Sequence, residues 1–122
     1  MHRSRLCEIG IDCQNADPAE AAKFWSAALG RKVTETQGKY ALLEDRANQP
    51  LVFVQSVSHP SRMHIDIETD DVEAEVARLE ALGAKRVEKI STWWVLEAPT
   101  GQRFCVVTVQ RGQLPDDATT WP

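Results

Sequence analysis

The stretch Asp17–Lys32, DPAEAAKFWSAALGRK, returns later in the chain as Asp70–Lys85, DDVEAEVARLEALGAK. Asp17 and Asp70 correspond, as do Glu20 and Glu73, Ala21 and Ala74, Ala28 and Ala81, Leu29 and Leu82, Gly30 and Gly83, and Lys32 and Lys85. Self-similarity at a fixed spacing marks a duplicated supersecondary unit. Each copy reads as a helix with both ends written in. The aspartates can accept from first-turn amides, and the glutamates three residues on complete a capping box. Pro18 suits a first helical position, and Gly30 and Gly83 stand where glycine takes the left-handed terminating conformation. Val72, Val76, Leu79 and Leu82 form the apolar stripe of the second helix. Ala21, Phe24, Trp25, Ala28 and Leu29 form that of the first. This bulkier stripe reads first as packing against a sheet, although Trp25 is also a candidate for a ligand-cavity wall.

Working outward, each helix is preceded by a segment of period two. Cys7, Ile9, Ile11 and Cys13 alternate with Glu8, Gly10, Asp12 and Gln14, and Met63, Ile65 and Ile67 alternate with His64, Asp66 and Glu68. After each helix come three β-type runs, 32–37, 39–45 and 50–57, then 85–90, 92–97 and 103–109, separated by turn residues at Gly38, Asp45 to Pro50 and Pro99 to Gly101. Both halves therefore read βαβββ. The predicted fold is α+β: two tandem modules, residues 6–57 and 63–109, joined by a linker at 58–62, form a curled mixed sheet around a cavity with the helices outside. The polar, proline-bearing end, Gln113 to Pro122, reads as a loose tail unless Trp121 docks. Helix-facing positions should be apolar, so the opposite set, Gly10, Asp12, Gln14, His64, Asp66 and Glu68, is the set of cavity candidates.

A length of 122 residues suits one domain or one tight pair of half-domains, and 43% hydrophobic residues suffice for a core. The longest apolar runs, such as Leu51 to Val54 and Trp93 to Leu96, fall far short of the ~20 residues that span a bilayer. No signal-peptide core is visible near the N-terminus, so a cytoplasmic location is expected. A formal net charge of −4 without a basic stripe leaves no electrostatic footprint for nucleic acid, and a small-molecule ligand is the expected partner. Cys7, Cys13 and Cys105, an odd set with no Cys-x-x-Cys pair, suggest neither a disulfide framework nor a thiolate zinc site.

The order of motifs is distinctive: Asp-Pro-(x)5-Phe-Trp-(x)3-Leu-Gly at 17–30, His-Ile-Asp-Ile at 64–67, Asp-Asp-Val-Glu at 70–73, Leu-Gly-Ala at 82–84 and Pro-Thr-Gly-(x)2-Phe-Cys at 99–105. From Leu6 to Val109 the chain resembles the vicinal oxygen chelate superfamily, in particular its small glyoxalase-like and bleomycin-resistance-like members. The resemblance implies paired modules around a U-shaped cavity, frequent homodimers and, in the metalloenzymes, a divalent ion held by His and Glu from the first and last strands of each module. His64 matches the second module's first-strand ligand. The first module offers Gly10 at that place, with Asp12 two residues on. Cys105 stands where the usual glutamate lies, and the remaining position falls near Phe53 or Gln55. This depleted set disfavours a divalent metal, and no cofactor is expected.

Asp12 and His64 are the catalytic candidates. Asp12 reads either as a general base or as a salt-bridged carboxylate, and His64 either as a proton-handling group or as a hydrogen-bonded structural one. Trp25, Gln55, Trp93, Trp94 and Cys105 are the substrate-binding candidates. Alternation sends one of Trp93 and Trp94 to the helix side, and Cys105 also reads as a small packed hydrophobe. His59, beside Pro60, reads as an exposed linker residue. The leading function is binding of a small organic molecule with a metal-independent lyase or isomerase step. The alternatives are sequestration of the drug-resistance type without chemistry, and a metal-dependent glyoxalase or dioxygenase.

Overall fold

The computed structural model describes residues 1–122 and is mixed α+β, with strands and helices in the order β1 (His2–Gln14), α1 (Pro18–Leu29), β2 (Val33–Gln37), β3 (Tyr40–Leu43), β4 (Leu51–Val57), β5 (Arg62–Thr69), α2 (Val72–Ala81), β6 (Lys85–Ile90), β7 (Trp93–Glu97), β8 (Arg103–Thr108) and β9 (Thr119–Trp121). Both predicted βαβββ modules are present. The chain divides into two compact units, Glu8–His64 and Met1–Cys7 with Ile65–Pro122.

In the Glu8–His64 unit the strands run β2-β3-β4-β1. β1 and β4 pair in parallel, and the chain between them supplies the crossover that parallel pairing requires. Asp17 caps α1 by accepting from the Ala19 amide at 2.9 Å. Gly30 ends it with φ +68°, its amide donating to the Ser26 carbonyl. The buried face of α1 meets the sheet through Ala22, which packs with Ile11, Ala41, Leu43, Val52 and Val54. Cys13, Ala21 and Trp25 lie against this cluster. Trp25, partly buried, turns its indole toward this apolar sheet face. The β2–β3 hairpin turns through Gly38 at φ +58°, where a two-residue loop needs a positive φ at its first central position.

The other unit orders its strands β5-β8-β7-β6, again with one parallel pair, β5 with β8. Asp71, not Asp70, caps α2 by accepting from the Ala74 amide at 3.0 Å, while Asp70 accepts from the Arg3 amide. Neither predicted capping box closes: Glu20 pairs with Lys23, and Glu73 is drawn to the Arg86 guanidinium. Val76, Leu96 and Val106 form the core, with Trp94 and Phe104 against it. Trp94 thus lies on the helix side, and Trp93 alternates to the opposite face.

The C-terminal segment is docked in this unit. β9 pairs antiparallel with the start of β1, Trp121 opposite His2. Trp121 Nε1 donates to Ser4 Oγ at 2.9 Å, and the Arg78 guanidinium stacks 3.7 Å over its ring. Arg78 in turn donates twice to the fully buried Glu75, which also bonds His2 Nε2 at 2.8 Å. Burial works to raise the Glu75 carboxyl, and hydrogen bonds from Arg78, His2 and Ser4 outweigh it, leaving its pKa below the usual carboxylate value. No helix is long and apolar enough to cross a membrane.

Candidate functional site

Alternation along β1 sends Ile11 and Cys13 to the helix side and Gly10 and Asp12 to the other face. On that face Gly10 stands opposite Phe53 and Asp12 opposite Gln55. The next strand adds Leu42 beside Phe53 and Tyr40 beside Gln55. The Gln55 amide donates to the Tyr40 hydroxyl at 3.3 Å, and the Tyr40 and Phe53 rings lie 6.0 Å apart.

Asp12 is buried, with 4% of its side chain exposed, and one of its oxygens faces three basic side chains of the unit. His64 Nδ1 lies 3.0 Å from Asp12 Oδ2. An ionised carboxylate only accepts, so the His64 nitrogen that faces it carries the proton and Nε2 is the basic nitrogen of the neutral ring. His59 Nε2 and Arg62 Nε each stand 3.8 Å from the same Asp12 oxygen. Asp12 Oδ1 is buried without a hydrogen bond. The linker that carries His59 is tied to the end of β1, because Ser61 Oγ accepts from the Gln14 amide at 2.9 Å and the Ser58 carbonyl accepts from the Gln14 side chain.

Gly10 explains how the His64 ring fits. A Cβ at residue 10 would lie 2.3 Å from His64 Cε1, 2.6 Å from Nε2 and 2.7 Å from Phe53 Cζ, distances that no real side chain tolerates. Phe53 meets the imidazole edge-on, with centroids 5.6 Å apart. The ring is therefore held by a hydrogen bond at Nδ1, with the Phe53 ring and the bare Gly10 backbone packed beside it.

Among the sequence candidates, this unit brings together Asp12, His64 and Gln55. Trp93 and Cys105 belong to the other unit. There Cys105 is half-buried on β8, opposite the buried Asp66 on one side and Val95 on the other. In the sequence His59 reads as an exposed linker residue and Arg62 and Tyr40 are not singled out, because nothing in the linker or in a four-residue strand announces their neighbours. Burial, then the Asp12 charge, push the Cys13 thiol pKa up, away from the thiolate.

The divalent ion of the metalloenzymes finds a poor fit in the Glu8–His64 unit. His64 has the oriented imidazole a metal would take, with a carboxylate behind it. Gly10 offers no donor and leaves no room for one, Phe53 is apolar, and the Gln55 amide is a weak ligand engaged with Tyr40.

The model of a family described as glyoxalase-like domain matches residues 8–107. No curated protein matches the sequence. Among solved structures, a hypothetical protein from Bacillus halodurans C-125 is similar with a TM-score of 0.70 at 13% identity, over 92% of this chain and 99% of that one. The Mn(II)-bound glyoxalase from Novosphingobium aromaticivorans gives 0.65 at 18% identity, over 88% of this chain and 40% of that one. A Streptomyces coelicolor methylmalonyl-CoA epimerase gives 0.59 at 19% identity, over 91% and 98%. At these identities the likeness is one of fold.

Proposed function

The chain belongs to the glyoxalase-like domain family, and on that premise we propose that it binds a small organic molecule and moves a proton at a carbon beside a carbonyl, as a metal-independent lyase or isomerase. The observation that carries this reading is the buried pair of His64 Nδ1 and Asp12 Oδ2 at 3.0 Å. In it Asp12 fixes the ring and its tautomer, and His64 Nε2 takes the proton. The C–H electron pair moves into the carbonyl and forms an enolate. The Tyr40 hydroxyl, which accepts from the Gln55 amide beside Asp12, is the group placed to stabilise the enolate oxygen. Return of the proton to another carbon completes an isomerisation, and loss of a leaving group from the neighbouring carbon completes a lyase step.

Sequestration without chemistry is less supported, because Trp25 and Trp94 are spent on the two cores. The proposal keeps the homodimer that the resemblance implies and a cytoplasmic location, with which three cysteines outside any disulfide agree.

The test is deuterium uptake from D2O into a panel of carbonyl compounds with an adjacent C–H, followed by mass spectrometry. The wild-type protein should label at least one of them. His64→Gln should lower that rate by about 10²- to 10⁴-fold, the usual worth of a general base. Uptake that is unchanged in His64→Gln overturns the assignment.

A further inference from the structure

Arg62 differs from the other arginines of its unit. Arg31 donates to the Pro50 carbonyl and to Gln49, and Arg46 donates to the Gly30 carbonyl and Glu44. Arg62 is within hydrogen-bond distance of no acceptor, and its one ionic neighbour is Asp12 Oδ2 at 3.8 Å. Three nitrogens thus converge on one carboxylate oxygen, which hydrogen-bonds one of them, His64 Nδ1. The Arg62 side chain is 46% exposed, so an incoming anion displaces water there and breaks no protein hydrogen bond. His59, whose Nδ1 faces the Pro60 carbonyl oxygen at 2.9 Å, flanks it.

We propose that the molecule bound here is a small carboxylate whose anionic end is gripped by Arg62, with His59 beside it, and whose apolar body extends across the sheet toward Tyr40 and Leu42. The inference builds on the proton-transfer reading of the same site. A planar guanidinium fork matches a carboxylate through two parallel hydrogen bonds, which an ammonium or a lone imidazole does not offer. Tyr40 and Leu42 are 37% and 38% exposed on the face that carries Asp12. They lie two strands from β1, a separation of about 10 Å, which sets the length of the ligand. A carboxylate at one end, a carbonyl over the dyad and a ring or short alkyl group at the other describe a 2-oxo acid of modest size.

Calorimetric titration of the full chain with phenylpyruvate and with its primary amide tests this at low and high salt. The acid should bind roughly tenfold more tightly than the amide at low salt, the worth of one charge-assisted pair, with the margin shrinking as salt rises. Arg62→Gln should abolish the preference, and Arg62→Lys should restore part of it. His64→Gln should retain it. Thermal melting checks that these variants stay folded. Equal affinity for acid and amide, a preference that survives Arg62→Gln, or failure of both compounds to bind overturns the proposal. A charge preference without deuterium uptake would uphold the carboxylate site and sink the proton-transfer reading alone.

Discussion

The His64 ring fills the space that a side chain at Gly10 would need: its Cε1 lies 2.3 Å from where a Cβ would stand. Gly10→Ala should therefore cost about 1–3 kcal/mol of stability, as an overpacked site does. It should also slow any His64-dependent reaction by roughly 10²-fold, since a shift of about 1 Å in a catalytic group has that effect. The double variant Gly10→Ala/His64→Ala should regain much of the lost stability in urea titrations. A fully additive loss would mean that the two residues do not share that space.

Asp12→Asn should leave the fold nearly intact while slowing deuterium uptake by about 10²-fold or more, because an amide no longer enforces the Nδ1-protonated ring. The loss should fall on kcat more than on KM. Unchanged kcat would reduce Asp12 to a structural anchor.

Stability should fall in acid partly through Glu75. Its pKa in the folded chain lies below the ordinary value of 4.5. The contribution is therefore present above that value and is lost as pH drops through the lower, folded one. Glu75→Gln should be less stable than wild type near neutrality and should lose less on acidification below about pH 4.5. Denaturant midpoints across pH 3 to 7 measure both. A parallel decline of the two proteins would remove Glu75 from the account.

The docked C-terminus should matter for its own unit. Trp121→Ala removes the ring stacked on Arg78 and the bond to Ser4, and should destabilise by about 1–3 kcal/mol while Asp12 and His64 keep their contact. A neutral thermal shift would show the segment to be dispensable.

Elemental analysis of protein purified without added metal should find less than one transition-metal ion per chain. A stoichiometric metal that is lost in His64→Ala would return the site to chelate chemistry.

Much of this was legible in the sequence because its causes are local. Period-two alternation put Asp12 and His64 opposite the apolar set of their strands, and glycine spacing ended both helices at Gly30 and Gly83, each at positive φ. What was hidden depends on distant contacts. His59 and Arg62 acquire meaning through a linker tied down by Gln14, and β9 exists because His2 to Ser4 wait across 115 or more residues of chain to pair with it. The Asp70-Asp71 doublet offered two caps, and the Arg3 amide decided between them by engaging Asp70. Trp93 and Trp94 were separable in principle by alternation, but the phase was fixed only by Leu96 and Val106 entering the core.

The most direct measurement is ¹⁵N NMR of imidazole-labelled protein, with His64 assigned by mutation. The account predicts a slowly exchanging proton on Nδ1 and an unprotonated Nε2 in the neutral ring, with this preference lost in Asp12→Asn. A neutral His64 protonated at Nε2, or one averaging freely between tautomers as in solvent, would contradict it.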